Sequence, residues 1–252
     1  MARRNRNTAL ILVLLLIALV SGVLFTRQAR APGAQRSNQT VNSTTGAEGT
    51  ASSTPSFNKT QFSVDSPDSP WVVVNKTRPL NPISYAPADL TSVGGGQQLR
   101  KEAAEAFMAM QAAAKNEGLS LAAMSGYRSY ATQVSVYNSE VKSNGQAVAD
   151  TQSARPGTSE HQTGWALDVG GGGCGIEDCF GTTAEGKWVA AHAYEYGFII
   201  RYISAKQAVT GYRAEPWHLR YIGPLLSTEM HQKDITTLEE FFSLPAAPDY
   251  PK

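Results

Sequence analysis

"SEHQTGWALDVG", Ser159 to Gly170, carries a histidine and an aspartate in a segment that otherwise reads as buried strand. Trp165 to Val169 is a short apolar run, and such runs line the inside of sheets. Burying the Asp168 carboxylate there is costly unless a cation meets it. Two explanations compete. Asp168 is an ion-paired core acid with Arg128 or Arg220 as partner, or Asp168 and His161 hold a common ligand that favours desolvated anionic and imidazole groups. Parity limits the geometry, because His161 and Asp168 are an odd number of positions apart and would face opposite ways on one straight strand. A turn at residues 162–164, "QTG", removes that conflict. Ala166 and Asp168 then share one face, and Trp165, Leu167 and Val169 pack the other.

Working outward, "GGGQQLRKEAAEAFMAMQAAAKNEG" spaces Leu99, Ala103, Phe107, Met110 and Ala114 by three and four, one face of an amphipathic helix closed by Gly118. "LSLAAMSGYRS" predicts a short strand running into a turn. The helix after it has Ser129 as N-cap and Gly145 just past its end. "TTAEGKWVAAHAYEYG" opens with Thr182 and Glu185 in capping-box spacing and stops at Gly197. "FIIRYI" and "EPWHLRYIG" read as strands, and "ITTLEEFF" as a terminal helix capped by Thr236 and Glu239. Helices and strands mix without regular βαβ spacing, so the fold class is α+β, a mainly antiparallel sheet with flanking helices.

The net charge of +1 over 252 residues hides an asymmetry. Residues 1–30 hold five arginines and no acids, whereas residues 71–252 hold 15 Lys and Arg against 18 Asp and Glu. That balance implies no basic face for nucleic acid. Arg3, Arg4 and Arg6 precede an uncharged apolar run from Thr8 to Phe25, about the length that spans a bilayer. Residues 1–30 are therefore expected to be a cytoplasmic tip and transmembrane signal anchor, with everything after Arg27 outside the cell. A cleaved signal peptide is the rival reading, though the run is long for one and no clean A-x-A site follows. Residues 31–70, rich in Ser, Thr, Asn, Gly and Pro, read as a disordered extracellular linker, and residues 71–252 as the folded domain. In an oxidising compartment Cys174 and Cys179, in "GGGCGIEDCFG", are expected to form a disulfide.

Of the four histidines, His192 and His231 read as ordinary helix residues. His161 and His218 stand apart, because each lies in a segment crowded with Gly, Trp and Ser near a carboxylate. Two imidazoles and one carboxylate suit Zn2+ with a fourth position left for water, whose pKa the metal lowers toward about 7. A further carboxylate that is not a ligand must then move protons, and Glu215, three residues before His218, fits that task. On a regular strand Glu215 and His218 would diverge. Pro216 cannot donate to a ladder, so the strand is expected to begin at Trp217, with Glu215 turned back over the site.

Taken together, "VVVNKTRPLNP", "SGYRSYATQ", "SARPGTSEHQTGWALDV", "KWVAAHAYEYGFIIRY" and "TGYRAEPWHLRYIG" resemble the VanY-type metallo-D-alanyl-D-alanine carboxypeptidases of bacterial cell walls, zinc peptidases related to the hedgehog fold. The resemblance implies that His161, Asp168 and His218 ligate Zn2+, that Glu215 is the proton-moving base and that Arg128 steadies the scissile carbonyl oxygen. It also puts Ser153 and Gln133 near the substrate. Beside them Trp217 reads as a wall of the substrate pocket, and Ser159 and Glu160 as neighbours able to orient the ligands from behind. The implied substrate is the peptidoglycan stem peptide, cut at its terminal D-alanine by an enzyme tethered to the outer face of a bacterial membrane. An L,D-carboxypeptidase, a crosslink endopeptidase and a wall-binding module without turnover are the alternatives. The glycine-rich insert holding both cysteines departs from the family pattern.

Overall fold

The computed structural model describes residues 57–252. The expected membrane segment and residues 31–56 of the linker lie outside the described residues, and among those described no helix is long and apolar enough to cross a membrane. Strands β1 (Leu90–Gly94) and β2 (Gln97–Arg100) form an antiparallel hairpin that leads into helix α1 (Lys101–Asn116). Then follow β3 (Ala122–Ser125), α2 (Tyr130–Asn144), α3 (Gln146–Gln152), β4 (Ala166–Gly170) and α4 (Ala184–His192). The chain ends with β5 (Phe198–Tyr202), α5 (Gln207–Thr210), β6 (Glu215–Tyr221), α6 (Pro224–Gln232) and α7 (Leu238–Phe241). The main sheet has the order β3-β4-β6-β5 with every neighbour antiparallel, which is the α+β class that the sequence implies.

Alternation along β4 divides its side chains as parity requires. Trp165, Leu167 and Val169 join the main core with Ala103, Phe107, Met110 and Ala114 of α1, while Asp168 points to the other face. Leu99 shares that core but belongs to β2, so the helix starts two residues later than its apolar spacing suggests. Ser129 caps α2 as expected, accepting from the Thr132 N–H. The caps of α4 and α7 sit one residue later than expected, on Thr183 and Thr237. Each lies in a Thr-Thr pair, where spacing alone cannot choose, and Thr182 is already committed to the Cys179 carbonyl at 2.8 Å.

Strand β6 corrects a second expectation. It begins at Glu215, not Trp217, with Glu215 opposite Tyr202. Between Ile200 and Tyr202 the register slips, their partners being Leu219 and Glu215, so β6 spends extra residues in a bulge. Pro216 falls inside that bulge, where no ladder bond is asked of it. The slip cancels the parity problem and turns Glu215 and His218 to the same side.

The linker boundary is also earlier than composition suggests. Phe57 stacks on Trp71 with ring centres 5.6 Å apart and meets Phe241 edge-on, Asp65 pairs with Arg78 at 2.6 Å, and Asp68 accepts from Tyr85. The apolar run after it makes no strand: Trp71 and Val73 enter a small core with α6 and α7, and Val72 and Val74 enter the main one.

Cys174 and Cys179 are bridged, closing the loop that follows β4. So short a ring constrains few unfolded conformations, so replacing both cysteines with serine is expected to lower stability by no more than about 2 kcal/mol. A urea midpoint measures this, and a larger loss would mean that the loop supports the core.

Candidate active site

The site lies on the two central strands. Pairing of β4 with β6 sets Asp168 directly opposite His218. His161 arrives from a buried 3-10 turn, Glu160–Thr163, that ends at Gly164. Gly164 has φ +74°, and a Cβ there would also meet Arg100, so only glycine makes this turn without strain. The turn brings His161 Nε2 to 3.3 Å from Asp168 Oδ2, and His218 Nδ1 lies 3.1 Å from Asp168 Oδ1. The two imidazoles stand perpendicular with ring centres 4.9 Å apart.

The remaining ring nitrogens are occupied from behind. His161 Nδ1 donates to the Gly126 carbonyl at 2.8 Å, which leaves a lone pair on Nε2 toward the site. His218 Nε2 faces Glu160 Oε2 at 3.4 Å, which leaves Nδ1 toward Asp168. One donor atom from each of His161, Asp168 and His218 lies within 4.8 Å of the others. Asp168 Oδ1 is buried and makes no hydrogen bond among the described residues, although His218 Nδ1 lies 3.1 Å away. An orphaned carboxylate oxygen set between two imidazole nitrogens fits a divalent cation such as Zn2+.

Charge follows from the same packing. Burial opposes ionisation of Asp168, but the flanking imidazoles outweigh it and hold the carboxyl well below the usual range. His161, desolvated and facing Arg128, is lowered to about 4. Burial alone would lower His218, but the Asp168 and Glu160 carboxylates on either side of the ring outweigh it and raise it to about 9. Burial pushes Glu215 up to about 7; its Oε2 stands 3.7 Å from His218 Nδ1. A metal ligand must be deprotonated, so zinc binding at pH 7 is expected to displace about one proton, from His218. Apparent zinc affinity should then fall about tenfold per pH unit below 9, and titration in buffers of different ionisation enthalpy counts the proton. A pH-independent affinity contradicts this.

Arg128 is the cation beside Asp168, at 3.3 Å, and Arg220 is not, so the ion-pair explanation of Asp168 is half met by the residue that the sequence also marks as functional. The Arg128 guanidinium is held in place by Gln133 Oε1 and Ser125 Oγ, each at 3.1 Å. Gln133 in turn donates to the Ala154 carbonyl and reaches Ser153 Oγ at 3.4 Å. These groups line a cavity of about 430 Å³ with Glu215, Trp217 and the three candidate ligands. The sequence reading omitted Tyr202, Tyr212, Arg213 and Ile176, which line it too. Arg213 stacks over Trp217 and pairs with Asp178 of the disulfide loop at 3.2 Å, which ties that loop to the cavity rim. His192 and His231 remain helix residues outside the site.

The sequence model of the family described as "VanY: D-alanyl-D-alanine carboxypeptidase" matches residues 96–224, about half of the chain. The chain belongs to that family. Among similar proteins, the carboxypeptidase YodJ of Bacillus subtilis (strain 168) is 44% identical over 190 residues, covering 71% of this chain and 69% of its own. The solved structure of the LdcB LD-carboxypeptidase has a TM-score of 0.65 and 43% identity, covering 70% of this chain and 87% of that one. A mutant of the vancomycin-resistance D,D-pentapeptidase VanY, solved in complex with Zn(II), has a TM-score of 0.59 and 28% identity, covering 68% and 97%. VanY-family membership thus makes the chain a carboxypeptidase relative with the fold that its motifs imply.

Proposed function

We propose that the protein is a zinc-dependent D-alanyl-D-alanine carboxypeptidase that hydrolyses the terminal D-alanine from peptidoglycan stem peptides. The observation that carries this reading is the convergence of His161, Asp168 and His218 with a fourth, non-ligating acid, Glu215, in one cavity. His161 through Nε2, His218 through Nδ1 and Asp168 through a carboxylate oxygen would hold Zn2+. Bound there, zinc supplies Lewis acidity and a water of lowered pKa.

The chain's own groups do the rest. Glu215, near neutrality in its pKa, accepts a proton from the attacking water and returns it to the leaving amine, tasks that need an acid and a base of similar strength at one atom. Arg128, fixed by Gln133 and Ser125, offers its guanidinium to the oxygen that gains charge as the amide carbon becomes tetrahedral. Gln133, Ser153 and Trp217 shape the wall against which the peptide lies. Burial of His161, Asp168, Glu215 and His218 lowers the local dielectric and strengthens each of these interactions.

Removal of D-alanine from tetrapeptides is a second reading, favoured by the higher identity to the LdcB LD-carboxypeptidase than to the D,D-pentapeptidase. The purified domain, offered pentapeptide and tetrapeptide stems with and without chelator, separates the two by the mass of the products. Release from the pentapeptide alone supports the D,D reading, and release from the tetrapeptide alone replaces it. Location at the outer face of the bacterial membrane through residues 1–30 belongs to the same proposal, and protease accessibility of the domain on intact wall-less cells tests it.

A further inference from the structure

Behind the three candidate ligands lies a second cluster of charges sealed from solvent. Arg201, Glu160, Arg220 and Glu239 all have fully buried side chains. Glu160 Oε1 accepts from Arg201 Nε at 2.8 Å and from Arg220 Nη1 at 2.9 Å. Neither guanidinium is free to turn. Arg201 spends its other two nitrogens on a bidentate pair with Glu239 of α7, at 2.7 and 2.9 Å, and Asn75 donates to the same carboxylate. Arg220 spends its own on the carbonyls of Tyr221, Pro70 and Val72. Two fixed cations therefore pin Oε1, and the other oxygen of Glu160 is left facing His218 Nε2.

We infer that Glu160 is a positioning residue, which holds the proton of His218 on Nε2 and thereby keeps Nδ1 bare toward the metal. The inference rests on His161, Asp168 and His218 being metal ligands. Its physical basis is that an imidazole offers a lone pair at one nitrogen only when its other nitrogen carries the proton, and an ionised carboxylate accepts that proton's hydrogen bond without ever donating one. A glutamine at position 160 could turn its amide N–H toward Nε2 and favour the opposite tautomer. The anchorage of this carboxylate extends beyond the family-matched residues, to Asn75 on one side and α7 on the other.

The test compares Glu160→Gln with Glu239→Gln, which weakens the same cluster without facing His218. Zinc affinity is measured by competition with a chromophoric chelator, and thermal unfolding is followed on the metal-free proteins. Both variants are expected to melt at lower temperature, whereas only Glu160→Gln should lose zinc affinity, by about 10- to 100-fold. Should Glu160→Gln fail to fold, nitrogen-15 correlation spectra of the metal-free wild type, taken at a pH where the His218 imidazole is neutral, read the tautomer directly, with His218 expected to carry its proton on Nε2. Unchanged zinc affinity in Glu160→Gln, an equal loss in Glu239→Gln, or a proton found on Nδ1 each overturns the inference while leaving the metal reading intact. A wild-type protein that binds no zinc overturns both.

Discussion

Replacing Glu215 with glutamine is expected to lower kcat by about 100- to 10,000-fold while leaving zinc bound. The amide keeps the shape of the side chain and loses its capacity to take a proton. Its position explains why the effect should be so confined. Glu215 reaches the cavity from the first residue of β6 and lies 3.7 Å from His218 Nδ1, beside the ligand set and outside it. Burial that holds its carboxyl at about 7 suits a group that must accept and return a proton near neutrality. Stopped assays on a stem pentapeptide, together with metal analysis of the same sample, read both halves of the expectation. A Glu215→Gln protein that turns over at the wild-type rate removes Glu215 from the chemistry, and one that loses zinc makes it a ligand.

The largest expected effect on stability lies at Arg201, away from the cavity. Arg201→Met leaves Glu239 with Asn75 as its only side-chain donor among the described residues and halves the arginine support of Glu160, all in a region sealed from water. Removing one partner from a buried ion pair costs about 3–5 kcal/mol, a large share of the roughly 5–15 kcal/mol that holds a typical domain together. Removing charges in matched numbers is milder, so adding Glu239→Gln to Arg201→Met should recover part of the loss. Urea unfolding of the two proteins checks the order. An Arg201→Met domain as stable as wild type would show that water reaches the cluster.

How much of this could be read from the chain depends on the range over which each signal acts. His161, Asp168 and the turn between them were legible because polar groups within an apolar strand, and the parity of their spacing, are local facts. The same parity argument placed the start of β6 wrongly, because a bulge depends on the neighbouring strand and leaves no mark beyond Pro216. Arg201, inside "FIIRY", is the same kind of anomaly as Asp168 inside "WALDV". Its partners were illegible: Glu160 and Glu239 lie 41 and 38 positions away, and no periodicity joins them. Ile176 and Arg213 reach the cavity through loops whose paths are set by the disulfide and by the Asp178 pairing, which are tertiary facts too.

Because Asp168 and His218 face each other across a ladder in the middle of the sheet, moving them apart means breaking the backbone hydrogen bonds between its two central strands. The cystine loop belongs to no such ladder. The rim of the cavity can therefore change shape, and with it what the cavity admits, without disturbing the side chains that the central strands hold in place.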